Sequence, residues 1–423
     1  MNNTIRLWMT PDRWPAFARG MLAYGSAEAA TRIVRLASIL VVARQISPTM
    51  LGVAALALSL FELVRVLTNV GIGQRIIIAG ADELESVCVA ATRLFWMMCL
   101  AVAGVQLAVA ATLWGVFDEA EVAAMLAVLS LVYFFMPAGL VQIFLAMRAQ
   151  RMAATASVTA AQNIADSLLT LALALIWPSA WAIILPKVLT APVWLVLARR
   201  TFSWSPDRAV IPAPLADFCH FGPAILISEL LSAARVNADK LLVGAFLGTE
   251  ALGLYYFAFN AGLGITHSLV AACNLVLFPH LSKLSGPEFE REFRRAFLGG
   301  FAIIAPLIAA QALLASTYVP IVFGEKWIPA TPYLALLACA ALPLFAGSMI
   351  GARQRALGDP AAETRLMALA TAMGLIGLCL GCQHSLAAAC VGFGTGLALI
   401  LLPAAIPHLA RSLPQFTRAQ GEL

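Results

Sequence analysis

Two stretches of this sequence, half a chain apart, share one pattern. Leu40–Ala57 reads LVVARQISPTMLGVAALA, and Leu241–Ala258 reads LLVGAFLGTEALGLYYFA. They align without a gap at an offset of 201 residues, and the matching positions are Val42 with Val243, Leu51 with Leu252, Gly52 with Gly253, and Ala57 with Ala258. Each stretch contains the end of one apolar segment, a short turn and the start of the next. Because the match is gapless and falls at the half-way point, duplication explains it better than chance, and it predicts two halves in the same orientation, as in transporters built from parallel repeats.

The composition places this repeat in a membrane. Of 423 residues, 61% are hydrophobic and only 12% are charged, and the mean hydropathy is +0.89. Soluble proteins average about 45–50% apolar and about 25% charged residues. An ordinary soluble enzyme, a disulfide scaffold and a disordered chain are therefore excluded. Since one transmembrane helix needs about 20 apolar residues, about twelve of them leave room for short loops but for no large soluble domain.

The pattern of apolar stretches predicts an all-α polytopic membrane protein. About twelve transmembrane helices form two six-helix bundles related by the internal parallel repeat, around a central cavity. The predicted spans are 21–43, 51–71, 87–112, 122–145, 154–176, 180–198, 218–246, 251–275, 296–319, 331–350, 366–382 and 386–407. The corresponding organisation is an N-terminal segment at 1–20, a first bundle at 21–200, a linker at 201–217, a second bundle at 218–407 and a tail at 408–423. The N-terminus shows no cleavable signal pattern.

Basic residues are distributed unequally between the two sides of the predicted topology. The N-terminal tail and the even-numbered connections hold eighteen of the 27 Lys and Arg residues, whereas the opposite side holds only Arg44 and Lys326. The positive-inside rule therefore predicts that both termini are cytoplasmic. The outside loops are all short, which argues against a membrane enzyme that needs a sizeable external loop for its acceptor.

Several charged residues lie within predicted spans, where an Arg at the helix centre costs about 2.5–3.5 kcal/mol. Such residues are expected to face the bundle interior or water. One interpretation is internal pairing at helical spacing, as Glu28–Arg32, Glu62–Arg65 and Arg235–Asp239. The other is a hydrated cavity with a cationic lining for an anionic substrate, since Arg grips phosphate bidentately. The two interpretations are compatible, since a paired charge can also line a cavity. The candidate cavity residues are Glu28, Arg32, Arg35, Glu62, Arg65, Lys187, Arg235, Asp239 and Lys240.

Nothing in the sequence indicates catalytic chemistry. There is no P-loop, no metal-ligand cluster and no G-x-S-x-G motif. Cys379 and Cys382 form a CxxC in an apolar stretch, for which small-residue helix packing is the better interpretation. No basic stripe indicates nucleic acid. No cofactor is expected beyond a coupling cation, Na⁺ or H⁺, for which Asp166, Glu229 and Asp239 are candidates, with helix packing as the alternative role of each.

The order and spacing of several motifs resemble the Wzx-like oligosaccharide flippases of the multidrug/oligosaccharidyl-lipid/polysaccharide exporter superfamily. The first motif is the outer turn Ala43–Gly52. The second motif, Asp239–Tyr255, is similar to the family's seventh-span pattern, whose residues fall on Asp239, Gly244, Gly248, Leu252, Gly253 and Tyr255. The others are Asn69–Gly73, Phe278-Pro279, Phe323–Trp327 and Ala356–Gly358. Arg75 departs from the pattern, because relatives often have a small residue there, and many relatives have two further C-terminal spans.

The resemblance implies two bundles in a V shape that work by alternating access. It implies a polyprenyl-pyrophosphate-linked oligosaccharide moved from the cytoplasmic to the periplasmic leaflet for polysaccharide biosynthesis, next to a polysaccharide polymerase and glycosyltransferases of the same pathway. A polar, anionic head cannot cross hydrocarbon unaided, and its transfer breaks no bond, so a transporter and not an enzyme is expected. Two alternatives stay open: an exporter of drugs or other small solutes on the same fold, and a membrane-embedded glycan polymerase or ligase.

Overall fold

The computed structural model describes residues 34–35, 37–207, 209–219 and 222–410. These residues form helices and their connections, and no strand occurs among them. The predicted all-α class is thereby confirmed. Glu28 and Arg32 lie outside the described residues.

The helices follow a helical stretch at residues 37–45. In chain order they are α1 Pro48–Arg65, α2 Ile72–Ile78, α3 Leu84–Gly115, α4 Ala120–Leu129, α5 Val132–Phe135, α6 Pro137–Arg148, α7 Met152–Ile176, α8 Trp181–Leu189, α9 Ala191–Thr201, α10 Ala216–Cys219, α11 Gly222–Leu281, α12 Gly286–Phe323, α13 Thr331–Ala356, α14 Pro360–Cys382 and α15 Leu386–Ala410. Short 3-10 helices lie at Val66–Thr68 and Glu325–Ala330.

Nine helical segments of the described chain are long and apolar enough to cross a membrane, and a bent helix pair makes ten. One of the nine, Ile225–Leu263, passes through a break in α11 at Gly248, where φ is 84° and ψ is 178°. The predicted seventh and eighth spans are the two arms of α11 on either side of that break. A left-handed φ suits glycine because it has no Cβ. The first predicted span, 21–43, lies mostly outside the described residues.

The predicted fourth span is not one straight helix. Ala120–Phe135 and Pro137–Arg148 meet at a bend of 53°. Pro137 lacks the N–H that would continue the helix, and its ring clashes with the preceding turn, so the chain bends there. The connection between the second and third spans also contains structure that the sequence pattern did not predict, the short helix α2.

The chain divides into two compact units. The first contains Leu56–Asn237 and the described residues before Pro48, and the second contains Pro48–Ala55 and the described part of Ala238–Leu423. The first eight residues of α1 therefore pack with the second unit. Hydropathy alone did not predict that residues 48–55 group with the second unit.

The predicted linker 201–217 packs against the first unit. Trp204 Nε1 donates to both carboxylate oxygens of Glu85 at 3.1 Å, and Gln142 Nε2 donates to the Trp204 carbonyl at 3.1 Å. The Ala213 N–H donates to the Ser86 carbonyl at 3.1 Å. Phe218, next along the chain, is buried in the apolar cluster formed by α2, α3 and α6. Hydrogen bonds and apolar burial thus hold the connecting segment on the first unit.

Arg75, the residue that departs from the family pattern, joins α2 to the start of α3. Its guanidinium donates to both carboxylate oxygens of Glu83 at 3.0 and 2.8 Å. These charge-assisted bonds, with the Gly80 N–H, lower the pKa of Glu83 to about 2. Arg148 at the end of α6 donates to the carbonyls of Ile76, Ile77 and Ala79, which the end of α2 leaves without helical partners. The two arginines therefore stabilise the connection between the second and third spans.

In the second unit, α14 and α15 form a hairpin that is packed through glycine. A Cβ at Gly377 would lie 2.1 Å from the Gly392 carbonyl oxygen, and a Cβ at Gly396 would lie 2.3 Å from that of Met373. Small residues allow such close backbone approach between membrane helices. Cys379 and Cys382 lie on this hairpin as free thiols.

Large apolar side chains cover the outside of the helices. Trp114, Ile176 and Leu313 are 68%, 81% and 78% exposed, and each lies on a helix long enough to span a membrane. A soluble monomer rarely exposes large contiguous apolar patches. These surfaces fit contact with lipid.

Candidate functional site

The two halves of the sequence repeat meet in the second unit, where the start of α1 crosses the second arm of α11. A Cβ at Gly52 would lie 1.7 Å from the Thr249 carbonyl oxygen, and a Cβ at Gly253 would lie 1.8 Å from the Pro48 carbonyl oxygen. The two contacts are reciprocal at the offset of 201 residues that the sequence alignment predicts. The duplication itself stays a prediction, and the absence of a Cβ at both matched glycines is what permits the crossing.

The Phe323–Trp327 motif closes the turn between α12 and α13. Gly324 has a φ of 104°, which L side chains rarely adopt. The Trp327 side chain is fully buried, and its ring stacks on Phe257 at 4.1 Å between centroids. Phe323 meets the same Phe257 ring edge-on at 4.9 Å. The turn thus inserts an aromatic side chain against the second arm of α11, at Phe257, four residues after Gly253.

A buried ionic cluster lies within the bend of α11. Asp239 and Lys240 are only 3% and 6% exposed. The Lys240 ammonium donates to Asp239 Oδ1 at 3.1 Å, and the Tyr255 hydroxyl donates to Asp239 Oδ2 at 3.0 Å. The ammonium also lies 4.5 Å from the centroid of the Phe259 ring. Carboxylate and ammonium come from the first arm of α11, and the phenol and the ring come from the second arm.

The cluster corrects one predicted pairing. Arg235 stands one turn before Asp239 and was expected to pair with it. Arg235 is instead exposed, and both oxygens of the buried Asp239 carboxylate contact Lys240 or Tyr255. Helical spacing alone could not show this, because the second arm brings Tyr255 to the carboxylate. Glu229 is half-buried on the first arm.

Two further ion pairs lie in the first unit. Arg65 donates to Glu62 Oε2 from Nε at 3.0 Å and from a terminal nitrogen at 2.6 Å, as the spacing predicts. Their side chains are 43% and 40% exposed. Lys187 on α8 donates to Asp166 Oδ2 on α7 at 2.7 Å. The other Asp166 oxygen is buried and has no hydrogen-bond partner within the described part of the chain.

The structure therefore combines the candidate residues into three pairs. Asp239 joins Lys240, Glu62 joins Arg65, and Asp166, a coupling-cation candidate, joins Lys187, a cavity candidate. The Asp166–Lys187 contact links neighbouring helices and was not predicted. Arg35 is helical and exposed. The roles of all these residues in substrate or ion binding stay predictions.

Sequence reasoning left Tyr255 and Phe259 out of the candidate site. Tyr255 is fully buried and Phe259 packs against the apolar core of the second unit. A signal for Tyr255 was available, because it belongs to the same motif as Asp239. On a straight helix, residues sixteen apart in sequence do not contact each other. Asp239 and Tyr255 come into contact only because the chain folds back at Gly248.

Within the described ranges, no group of three or more His, Cys, Asp or Glu side chains is placed to hold a metal ion.

Comparison with known proteins places the chain in a family. A model of the polysaccharide biosynthesis protein family matches residues 41–332. The teichuronic acid biosynthesis protein TuaB of Bacillus subtilis is 29% identical over 34% of this chain and 30% of its own length. The lipopolysaccharide biosynthesis protein WzxC of Escherichia coli is 24% identical over 74% of this chain and 64% of its own length. The chain thus spans less than two thirds of either relative.

A solved structure of the lipid II flippase MurJ, in an inward closed conformation, shares the fold with a TM-score of 0.73. The two chains are 11% identical, and the match covers 92% of this chain and 89% of that one. Because the family model spans more than half of the sequence, the chain belongs to the polysaccharide biosynthesis protein family.

Proposed function

We propose that the protein is a flippase that moves a polyprenyl-pyrophosphate-linked oligosaccharide from the cytoplasmic to the periplasmic leaflet of a bacterial inner membrane. The transfer supplies polysaccharide biosynthesis and proceeds by alternating access. The observation that carries the proposal is the set of solvent-accessible charges on apolar, membrane-length helices of a polysaccharide biosynthesis family member.

These charges support an anionic substrate. Arg235 is exposed, and the Arg65 side chain keeps 43% of its surface although it pairs with Glu62. Arg35, in the first span predicted from the sequence, is exposed as well. A cation is costly at membrane depth unless it faces water or a partner, so accessible arginines indicate hydrated surface. Arginine presents a planar fork of donors that fits a pyrophosphate group. We propose that Arg32 and Arg35 hold this group, and that Glu28, Glu62, Arg65, Lys187, Arg235, Asp239 and Lys240 contribute to the same path.

The topology that accompanies the proposal has both termini in the cytoplasm, as the distribution of Lys and Arg predicts. The glycine crossing and the Trp327 turn then lie on the periplasmic side. The substrate arrives from glycosyltransferases in the cytoplasm and leaves toward a polymerase outside. No bond is made or broken in this step, so we propose no catalytic residue. A coupling cation, bound at Asp166, Glu229 or Asp239, supplies the driving force.

The test is complementation of a strain that lacks its own flippase. The full-length chain should restore surface polysaccharide and remove the accumulated lipid-linked oligosaccharide. Arg35→Ala should abolish both effects with protein abundance near normal, and Arg35→Lys should recover them in part, because a point charge replaces the fork. Arg295→Ala is the matched control, since Arg295 is 66% exposed and outside the candidate set.

Other outcomes distinguish the alternatives. Resistance to small cationic drugs without restored polysaccharide would favour a solute exporter. Restored chain length in a polymerase-null strain would favour a polymerase or ligase. Full activity of a well-expressed Arg32→Ala/Arg35→Ala variant would end the pyrophosphate role of these residues, whereas a scarce Arg32→Ala protein rescued by Glu28→Ala would assign Arg32 to helix packing.

A further inference from the structure

The helical segment Trp181–Thr201, which joins α8 and α9, has an exposed apolar stripe that ends in an arginine. The segment has the length and hydropathy of a transmembrane helix. At about 100° per residue, Leu189, Val193, Val196 and Arg200 lie within about 60° of one another around its axis. The three apolar side chains are between 40% and 53% exposed, and Arg200 is exposed as well. This set, the α9 stripe, therefore presents apolar side chains along the helix and a cationic group at its end.

Two further guanidinium groups lie close to the end of the α9 stripe. Arg199 stands in the last turn of α9, and its Nε donates to the Ala138 carbonyl on α6 at 3.1 Å. Arg151, at the start of α7, donates from Nη1 to the Thr201 carbonyl at 3.4 Å and lies 5.7 Å from the centroid of the Phe202 ring. Both arginines are exposed. The packing of α6 and α7 against α9 thus brings three arginines, the arginine cluster, to one end of the segment.

No acidic side chain balances the arginine cluster. Among the residues that the structure describes, no carboxylate oxygen lies within 4.0 Å of Arg151, Arg199 or Arg200, whereas six other arginines have such a partner: Arg65, Arg75, Arg291, Arg295, Arg353 and Arg355. The bonds of Arg151 and Arg199 to backbone carbonyls each use one of the five N–H donors of a guanidinium. Positive charge and hydrogen-bond donors therefore remain at this point for an anionic group.

The arginine cluster lies at the depth of lipid phosphate groups. The 21 residues of Trp181–Thr201 measure about 30 Å along a helix, which is about the thickness of the hydrocarbon core. Trp177 is 50% exposed just before the opposite end of the segment, where an aromatic side chain is typical of a membrane boundary. In the topology proposed above, the arginine end is the cytoplasmic end, and the cytoplasmic leaflet is the one rich in anionic lipid.

We propose that this surface binds an anionic phospholipid of the cytoplasmic leaflet. The arginine cluster binds the phosphodiester of the headgroup, and an acyl chain lies along the apolar residues of the α9 stripe. The planar fork of donors on each guanidinium fits two phosphate oxygens at once. A zwitterionic headgroup fits less well, because its ammonium meets surplus positive charge and no carboxylate. Only the choice of leaflet rests on the proposed function, since the contacts themselves do not depend on transport.

The bound phosphate bridges the end of α9 and the start of α7. The lipid should therefore stabilise the folded protein, and more so when its headgroup is anionic. The test is the thermal unfolding midpoint of the purified full-length protein in detergent micelles. These contain either phosphatidylglycerol or phosphatidylcholine with the same acyl chains. The wild-type midpoint should be about 2–4 °C higher in phosphatidylglycerol.

The variant Arg199→Gln/Arg200→Gln should lose this difference between the two lipids. Each protein is compared with itself, so a change in its intrinsic stability does not enter the comparison. Arg200→Gln alone keeps the backbone contacts of Arg151 and Arg199 and should lose part of the difference. Native mass spectrometry of the same samples should show fewer bound phosphatidylglycerol molecules for both variants than for the wild type.

The matched control is Arg291→Gln/Arg295→Gln on α12, which removes the same charge from side chains that are 56% and 66% exposed. These two arginines lie near Glu288 and Glu292, so their removal should leave the phosphatidylglycerol effect intact. An equal loss in the control would overturn the proposal, because it would show a general attraction between charges and no site. Equal wild-type midpoints in the two lipids would overturn it as well.

A polyprenyl phosphate added to phosphatidylcholine micelles separates a membrane lipid from a transported one. If it raises the wild-type midpoint through Arg199 and Arg200 while phosphatidylglycerol does not, the arginine cluster belongs to the transport path and the proposal is wrong. None of these measurements involves transport. A failure of the phospholipid site is therefore distinguishable from a failure of the flippase function, which complementation tests.

Discussion

The crossing of α1 with the second arm of α11 predicts that Gly253→Ala disrupts the proposed transport. The added Cβ would lie 1.8 Å from the Pro48 carbonyl oxygen, whereas real Cβ contacts essentially never fall below 3.0 Å. The two backbones must therefore separate by at least about 1.2 Å at this point. A carbonyl oxygen within a helix cannot rotate away as a flexible side chain can, so the adjustment falls on the helices themselves.

The expected size follows from this clash. Inserting a methyl group into a closely packed contact costs about 1–3 kcal/mol. If the crossing is present in one state of the transport cycle and absent in the other, this cost shifts the equilibrium between them by about 5–150-fold. Gly52→Ala should have an effect of similar size, because its Cβ would lie 1.7 Å from the Thr249 carbonyl oxygen.

The assay combines complementation with protein abundance in the flippase-null strain. Gly253→Ala should reduce surface polysaccharide while the protein stays in the membrane. The matched control is Gly104→Ala on α3, where an added Cβ meets nothing within 4 Å. Ala is favoured over Gly in a helix by about 1 kcal/mol, so the control should be neutral or slightly stabilised. Normal transport and an unchanged unfolding midpoint in Gly253→Ala would refute the reasoning.

Three further predictions follow from the same structure. Trp327→Ala should lower the stability of the second unit by about 3–5 kcal/mol, because the buried ring stacked on Phe257 is lost, and denaturant titration measures the change. Lys187→Ala should cost about 1–3 kcal/mol by leaving the Asp166 carboxylate without its donor, and Lys187→Ala/Asp166→Asn should recover most of that loss; equal stability of the single and double variants would contradict the pairing. A cysteine placed at Lys326 should react with an impermeant thiol reagent from the periplasmic side, and reaction from the cytoplasmic side alone would reverse the proposed orientation.

The helices themselves were largely predictable. Hydropathy along the chain is a local property, and it located the described spans, including both arms of α11, to within a few residues at most ends. The bend at Pro137 was harder to predict from the sequence, because membrane helices tolerate proline and the residue type alone does not give the bend angle. The position of residues 48–55 with the second unit was not predictable from hydropathy at all, since α1 is one continuous apolar helix.

Some contacts of the candidate site could likewise be predicted from the sequence, and others could not. The spacing of Glu62 and Arg65 predicted their contact, because both lie on one turn of one helix. The same rule failed for Arg235 and Asp239, where the Lys240 ammonium and the Tyr255 hydroxyl satisfy the carboxylate. It could not address Asp166 and Lys187, which belong to different helices. Within one helix the backbone determines which side chains meet, but between helices the packing does.

The sequence by itself determined the membrane environment, the helical class, the register of the internal repeat and the identity of the charges that the membrane must accommodate. Each of these follows from residue type and position along the chain. Only the tertiary structure decided that Gly52 and Gly253 face each other's backbones, and that Asp239 is closed off by a lysine, a tyrosine and an aromatic ring. The first contact depends on how α1 packs against α11, and the second depends on how the chain folds back at Gly248. Both bring together residues whose separation in sequence carries no periodic signal.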